Sequence, residues 1–372
     1  VKPEVKTQVK PETIVQDVNP SEPRVLATQL AMSALKEHSH IISTLAAAFA
    51  AENFTLALVG GPVRDAILGR LGNDLDFTTN ARPVSTAKIL KKWADAIWET
   101  GALYGTIAAK KGDVTIEITT YRSDVYDSDS RKPDVNFGNS IEGDLARRDF
   151  TVNAMAIELT GNQPQFIDLF DGANDLARKI LRTPGSATDS FSDDPLRMMR
   201  AARFVSQLEF TVTQEIIDAI KELSGRLSII SAERIRDELT KTLMSDNPRL
   251  GLLLLVETGL AQLFLPELPK LKLEIDEHHH HKDVYEHTLT VLDQAIALED
   301  RLGGPNLIIR LAALLHDIGK PRTRELIPGG GVSFHHHEVV GSKMATKRLK
   351  ELRFDSKTIT DVSQLVFLHL RF

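Results

Sequence analysis

Between residues 25 and 52 apolar side chains recur at helical spacing, which predicts one or two amphipathic helices. TLALVGG, from Thr55, then reads as a short apolar strand broken by paired glycines, the start of a strand-turn-helix unit. Further strand-like runs are NDLDFTT around Asp74, GTIAAKKGDVTIEITTY from Gly105 to Tyr121, and AMAIEL with PQFIDLF between Ala154 and Phe170. From Asp194 onward the pattern is almost wholly helical. The expected fold class is therefore α+β: a mixed head over residues 25–185, helical segments over 186–275 and a second helical domain over 276–372. Residues 1–24 combine proline with mixed charge and few large apolar groups, so they are expected to form a disordered tail. No internal repeat is visible.

Composition narrows the picture. The chain has 372 residues, 42% hydrophobic and 26% charged, enough for more than one core. Its longest apolar runs, GLLLLV from Gly251 and NLIIRLAALL from Asn306, stop well short of the roughly 20 residues a membrane span needs. A soluble protein with no membrane partner is expected. The lack of cysteine and of an apolar secretory segment makes a cytoplasmic location the simplest expectation. A net charge of −6 excludes a chain coated in basic residues, so any nucleic acid must meet a local patch. Candidate patches are Lys88, Lys91 and Lys92, and Lys343, Lys347, Arg348 and Lys350, although most such helical clusters are solvated faces.

The chemistry begins in LALVGGPVRDAILGRLGNDLDFTT, residues 56–79. Gly60 and Gly61 allow the backbone to approach a phosphate closely, and the helix after them offers unpaired N–H groups. Asp74 and Asp76 alternate along a strand, so both carboxylates leave one sheet face. That geometry suits Mg²⁺, a hard cation that selects oxygen ligands; two such ions about 4 Å apart can serve both the attacking and the leaving oxygen of a phosphoryl transfer. Glu117, in DVTIEITTYR, is the candidate third carboxylate from a neighbouring strand, the alternative being a merely exposed strand residue. Farther on, Asp194 and Arg197 stand three apart on an expected helix, where an acceptor and several donors side by side can read a base edge. An ordinary ion pair is the plainer alternative.

GGPVRD and DLD are followed by DLARRDFTVNAMA at 144–156, DPLRMMRAARF at 194–204 and ERIRDELTKTL at 233–243. In that order the motifs resemble the polymerase-β-like nucleotidyltransferases, and among them the class II tRNA CCA-adding enzymes and their bacterial poly(A) polymerase relatives, over about residues 40 to 270. The resemblance implies a catalytic palm with a small mixed sheet, followed by a helical neck and body that select the nucleotide and bind tRNA. It implies template-free addition of CCA to tRNA from CTP and ATP, with Asp74, Asp76 and Glu117 catalytic and Asp74 and Asp76 holding Mg²⁺. Gly60, Gly61 and Arg64 then belong to the nucleotide site, with Arg148 on triphosphate and Asp149 and Asn153 near the ribose. The plainer alternatives are a turn cap for Asn153 and pairing of Asp149 with Arg147 or Arg148. Asp194 and Arg197 become an amino-acid template that selects CTP and ATP, with Arg200 and Arg203 on the bound nucleotide. This chain has Asp193-Asp194 where the family usually has Glu-Asp. A poly(A) polymerase using ATP alone is the nearest alternative.

A second constellation joins VYEHTL with His287, LLHDIGKP with His316 and Asp317, FHHHEVVG with His337 and VFLHL with His369. Imidazoles and a carboxylate converging from helices suit a divalent metal. The pattern resembles an HD-type domain, which implies a metal at His287, His316, Asp317 and His337 and a further alternative function, metal-dependent phosphohydrolysis. The last aspartate of that family's set is not met before Phe372, so a domain truncated there is expected; a helical module contacting tRNA is the other reading. The run His278 to His281 reads as a polar histidine-rich loop.

Overall fold

The computed structural model describes residues 21–125, 134–138, 140–272, 284–327 and 332–371. Two helices open it, α1 (Ser21–Ala34) and α2 (Ser39–Ala50). Residues 1–20 of the expected disordered tail lie outside the described residues, while residues 21–24 begin α1. A seven-stranded sheet follows, built from β1 (Leu56–Val59), β2 (Asp74–Thr79), β3 (Ala96–Trp98), β4 (Thr106–Lys111) and β5 (Val114–Thr120), and, after a separate hairpin of β6 (Arg122–Val125) and β7 (Asp134–Phe137), β8 (Met155–Glu158) and β9 (Gln165–Asp168). Its order is β3-β4-β5-β2-β1-β8-β9. Only β2 and β5 run parallel; the other neighbours in this sheet are antiparallel.

Burial explains why the strands form where they do. All four residues of β1 are buried, as expected for a central strand covered on both faces, whereas β2 alternates, with Asp74 and Asp76 exposed and Leu75 and Phe77 in the core. Helices α3 (Gly61–Ile67) and α4 (Pro83–Trp93) follow β1 and β2, each with proline in its first turn, where a missing N–H costs nothing. The short α5 (Ile141–Ala146) is capped by Ser140, whose hydroxyl accepts from Gly143 N, and α6 (Gly172–Arg178) closes the head.

From residue 187 the chain is mostly helical: α7 (Ala187–Asp193), α8 (Leu196–Leu208), α9 (Gln214–Leu223), α10 (Ala232–Leu243), α11 (Pro248–Glu257) and α12 (Ala261–Phe264). Helix α8 is buried on nearly every side and packs against α10 and α11, so the side chains it sends toward the head are held rigidly. The last helices are α13 (Val284–Ala297), α14 (Leu307–Leu315), α15 (His337–Glu351) and α16 (Ser356–Leu368). They are joined to the body by Arg310, 3% exposed, which donates to Leu243 O and Ser245 O at the end of α10 and forks onto Glu299. Arg348 of α15 makes a second fork, 2.9 Å to each Glu267 oxygen. No described helix is long and apolar enough to cross a membrane.

Candidate functional site

The parallel register of β2 and β5 sets Asp76 opposite Glu117 and Asp74 opposite Thr115. With the two-residue side-chain period, Asp74, Asp76 and Glu117 therefore occupy one exposed sheet face. This donor set is all carboxylate oxygen, the chemistry that fits a hard divalent cation. Asp76 also lines an adjoining cleft. Desolvation there, ahead of the Glu117 and Asp74 charges, pushes its pKa up to about 6, with Arg148 pulling the other way.

The cleft, of about 290 Å³, is lined by Gly61, Arg64, Asp76, Arg148, Asp149, Asn153, Arg200 and Arg203, all named from sequence, and by Phe204 and Gln207, which were not. Gly60, next to Gly61, has φ +75°, and a Cβ there would come within 2.7 Å of Arg148 Nη1. Only glycine combines that backbone with that clearance.

Its arginines are held by acids behind them. Arg64 forks onto Asp65 and donates from Nη1 to Asn153 Oδ1 at 2.5 Å. Arg148 donates to Asp144 Oδ2 at 3.1 Å, and Arg147 donates to the other oxygen of the same fully buried carboxylate. Burial pushes Asp144 up, but Arg148 and Arg147 bring it below its ordinary value. Sequence reading missed Asp144, although its offsets of three and four from the two arginines on a helical turn were a signal. Among the described residues the Nε of Arg148 is buried without a hydrogen-bond partner. A donor left so suits an anionic oxygen entering the cleft.

Asp149 and Asn153 form the opposite wall. Asp149 Oδ1 accepts from its neighbour's amide Phe150 N and from Asn153 Nδ2 at 3.0 Å, and Oδ2 accepts from Arg200 Nε at 2.8 Å and from Arg200 Nη2. Burial opposes its charge, yet Arg200 and Asn153 hold its pKa at about 2. The partner of Asp149 is thus Arg200, not Arg147 or Arg148. Phe204 lies beneath three guanidinium groups, 4.5 Å from Arg203, 5.3 Å from Arg64 and 5.5 Å from Arg200. Arg203 Nε also lies 3.2 Å from the buried Glu238 of α10, without hydrogen-bond geometry.

Asp194 and Arg197 correct a sequence expectation. Asp194 is extended (φ −137°, ψ 98°) and precedes α8, so the two do not share a helical face. Pro195 is the cause, since the residue before proline is driven out of helical space. Asp194 Oδ1 caps α8 by accepting from Leu196 N, and Oδ2 lies 3.4 Å from Arg234. The Arg197 guanidinium donates to Arg147 O and to the Ser190 hydroxyl.

In the last domain Asp317, 1% exposed, is surrounded by imidazoles: Nε2 of His316, His337, His287 and His369 lie 3.0, 3.3, 3.7 and 3.8 Å from its oxygens. Nδ1 of His316, His337 and His369 meets the carbonyls of Ala313, Phe334 and Val366 at 2.7–2.8 Å. Those contacts orient each ring so that Nε2 faces the carboxylate, as in preformed metal sites. The ligand atoms of His287, His316 and Asp317, and of Asp317, His337 and His369, each gather within 4.8 Å, a mixed N/O set that fits a divalent metal. The four residues expected to hold a metal meet here, and His369, named in the same constellation, lies with them. Gly319 permits the approach, because a Cβ on it would lie 2.2 Å from His337 O. Burial disfavours charge on Asp317, but its hydrogen bonds to His316 and His337 bring it far below the carboxylate range. The His337 pKa rises, chiefly through its bond to Asp317, and that of His369 falls with burial. Lys320 Nζ, 2.6 Å from Asp317, is a further cation in the cluster. His278 to His281 lie outside the described residues.

Comparison with known proteins matches residues 56–182 to the "Poly A polymerase head domain", 209–271 to the "Probable RNA and SrmB- binding site of polymerase A" and 284–372 to the "HD domain". The CCA-adding enzyme of Lactobacillus johnsonii is 42% identical over 205 residues, 55% of this chain and 50% of that protein. That of Ligilactobacillus salivarius is 38% identical over 251 residues, 66% of this chain and 60% of that protein. The chain thus spans little more than half the length of these relatives. The crystal structure of Bacillus stearothermophilus CCA-adding enzyme in complex with CTP superposes with a TM-score of 0.60 at 26% identity, over 95% of this chain and 71% of that one. Thermotoga maritima CCA-adding enzyme complexed with tRNA gives 0.62 at 20% identity over 92% and 82%, a likeness of fold alone.

Proposed function

We propose, for a chain that belongs to the CCA-adding enzyme and poly(A) polymerase family and carries its head domain, its RNA-binding region and an HD domain, that it adds CCA to the 3′ ends of tRNA from CTP and ATP. One observation carries the reading: three carboxylates on a single sheet face adjoin a cleft walled by Arg64, Arg148, Arg200 and Arg203. The reaction is in-line attack of the RNA 3′ hydroxyl on the α-phosphorus of the nucleotide, with pyrophosphate leaving. Asp74, Asp76 and Glu117 would hold Mg²⁺, which supplies a lowered pKa for the hydroxyl and charge for the leaving oxygen. The protein's own contribution is positional. Arg64 and Arg148, fixed by Asp65 and Asp144, direct donors at the triphosphate, and the unpartnered Nε of Arg148 adds another. Asn153, gripped between Arg64 and Asp149, presents an amide at the ribose, and Arg200 and Arg203 line the cleft above Phe204. Reading the cytosine or adenine edge with Asp194 and Arg197 requires Arg197 to exchange Arg147 O and Ser190 for the base. With tRNA as substrate, the setting of the activity is the cytoplasm.

The experiment supplies tRNA ending before CCA, Mg²⁺ and labelled CTP or ATP, singly and together, and resolves products by single nucleotides. Two C additions followed by one A are expected. Long A tracts without C identify a poly(A) polymerase, and no extension overturns the reading. The cluster around Asp317 favours a second activity, hydrolysis of a phosphoester at the HD domain, which release of phosphate or a nucleotide without RNA extension would reveal.

A further inference from the structure

Of the two basic clusters on helix surfaces, the one on α15 sets three exposed lysines along one face of a long helix. On α4, Lys91 is tied to Glu99 at 2.7 Å, and Asp95 beyond the helix end pairs with Lys111. On α15, Lys343, Lys347 and Lys350 are all exposed and recur at four and three residues, one face of a helix. With a 1.5 Å rise per residue the three ammonium groups are carried by a line of about 10 Å. Among the described residues Lys343 and Lys350 have no ion pair, and Lys347 meets only the exposed Glu351 at 3.8 Å, a pair that salt screens. Arg353, just beyond the helix end and 70% exposed, lies 4.0 Å from Glu233 of α10. The fourth cation of the run, Arg348, turns inward instead and forks onto Glu267, anchoring α15 to the segment that matches an RNA-binding region.

We propose that the outer face of α15 is a docking surface for the sugar-phosphate backbone of the RNA whose 3′ end enters the cleft, with Lys343, Lys347 and Lys350 each on a phosphate. The inference rests on the proposed function and extends it: in a chain of net charge −6, backbone affinity must come from local stripes, and this one, with two of its three lysines outside any described ion pair, is anchored to the body through Arg348. It makes part of the HD domain an RNA-binding surface, separate from the Asp317 cluster.

The test is the salt dependence of tRNA binding by the triple variant Lys343→Gln, Lys347→Gln and Lys350→Gln. Each lost phosphate contact removes about 0.7 to 0.9 from the slope of log affinity against log salt. The triple variant should therefore lose about 2 units of slope and bind tRNA at least tenfold more weakly in about 50 mM salt. Its KM for CTP and its melting temperature should stay at the wild-type values, and the corresponding triple Lys→Arg variant should keep the full slope. A slope unchanged by the glutamines overturns the proposal, and so does a loss the arginines do not restore. If wild-type protein fails to extend RNA, the proposed function falls; if it extends RNA while the glutamine variant keeps its slope, only the α15 surface falls.

Discussion

In the head, Asp74, Asp76 and Glu117 stand exposed on a strand face, aligned by backbone register, with no described hydrogen bond between them. In the HD domain the single carboxylate Asp317 is enclosed by four imidazoles and Lys320, three of the rings fixed by backbone carbonyls. The first arrangement concentrates negative charge and is relieved only when cations arrive. The second has its charges balanced within the fold. An open acidic face suits the exchange of charged reactants that the proposed nucleotide addition requires, whereas a balanced, buried cluster suits a resident ion.

The largest effect that separates the two sites should come from Asp76→Ala, which is expected to lower incorporation of both CTP and ATP by about 10³-fold or more. The variant should still fold and melt in a cooperative transition; incorporation at the wild-type rate would remove Asp76 from the site. The reciprocal change, Asp317→Asn, should weaken Mn²⁺ binding, read by calorimetry, by about 100-fold while nucleotide addition continues. Retention of the ion would show that the imidazoles alone suffice. Next is Arg200→Met, which leaves Asp149 charged and buried: a stability loss of about 3 kcal/mol, with a raised nucleotide KM, is expected in urea melts and initial rates. An unchanged urea midpoint would mean that Asp149 does not depend on Arg200. The smallest effects concern pH. Asp149 has a depressed pKa, so its contribution is complete above its ordinary value of 3.8 and fades as pH falls toward about 2. Asp76 has a raised one, so the metal-free native state loses stability as pH rises from about 4 to about 6. Asp76→Asn should therefore raise the metal-free melting temperature at neutral pH, an increase that saturating Mg²⁺ reverses in sign.

Much of this was legible in the sequence because it depends on local spacing. A two-residue strand period aligned Asp74 with Asp76, paired glycines marked the close approach at Gly60, and the His-Asp dipeptide marked the buried cluster. What escaped depends on tertiary placement or on one backbone constraint. Phe204 closes the motif DPLRMMRAARF with no role legible in the sequence, and only the packed structure sets it beneath three arginines. Asp194 and Arg197 had helical spacing, but Pro195 places the helix start between them. His369 belonged to the histidine constellation, yet its distance along the chain hid its place beside His337, 3.2 Å away.

The one parallel pairing in the head sheet also governs which length changes the gene can absorb. Since β2 and β5 are joined by a crossover through α4, β3 and β4, residues gained or lost at the turns of that crossover leave Asp76 opposite Glu117. A single codon inserted within β5 before Glu117 is a different event. It shifts the alternation by one, turns Glu117 into the core and brings Ile116 or Ile118 to the exposed carboxylate face. Indels in this stretch should therefore be tolerated or lethal according to which side of a strand boundary they fall on.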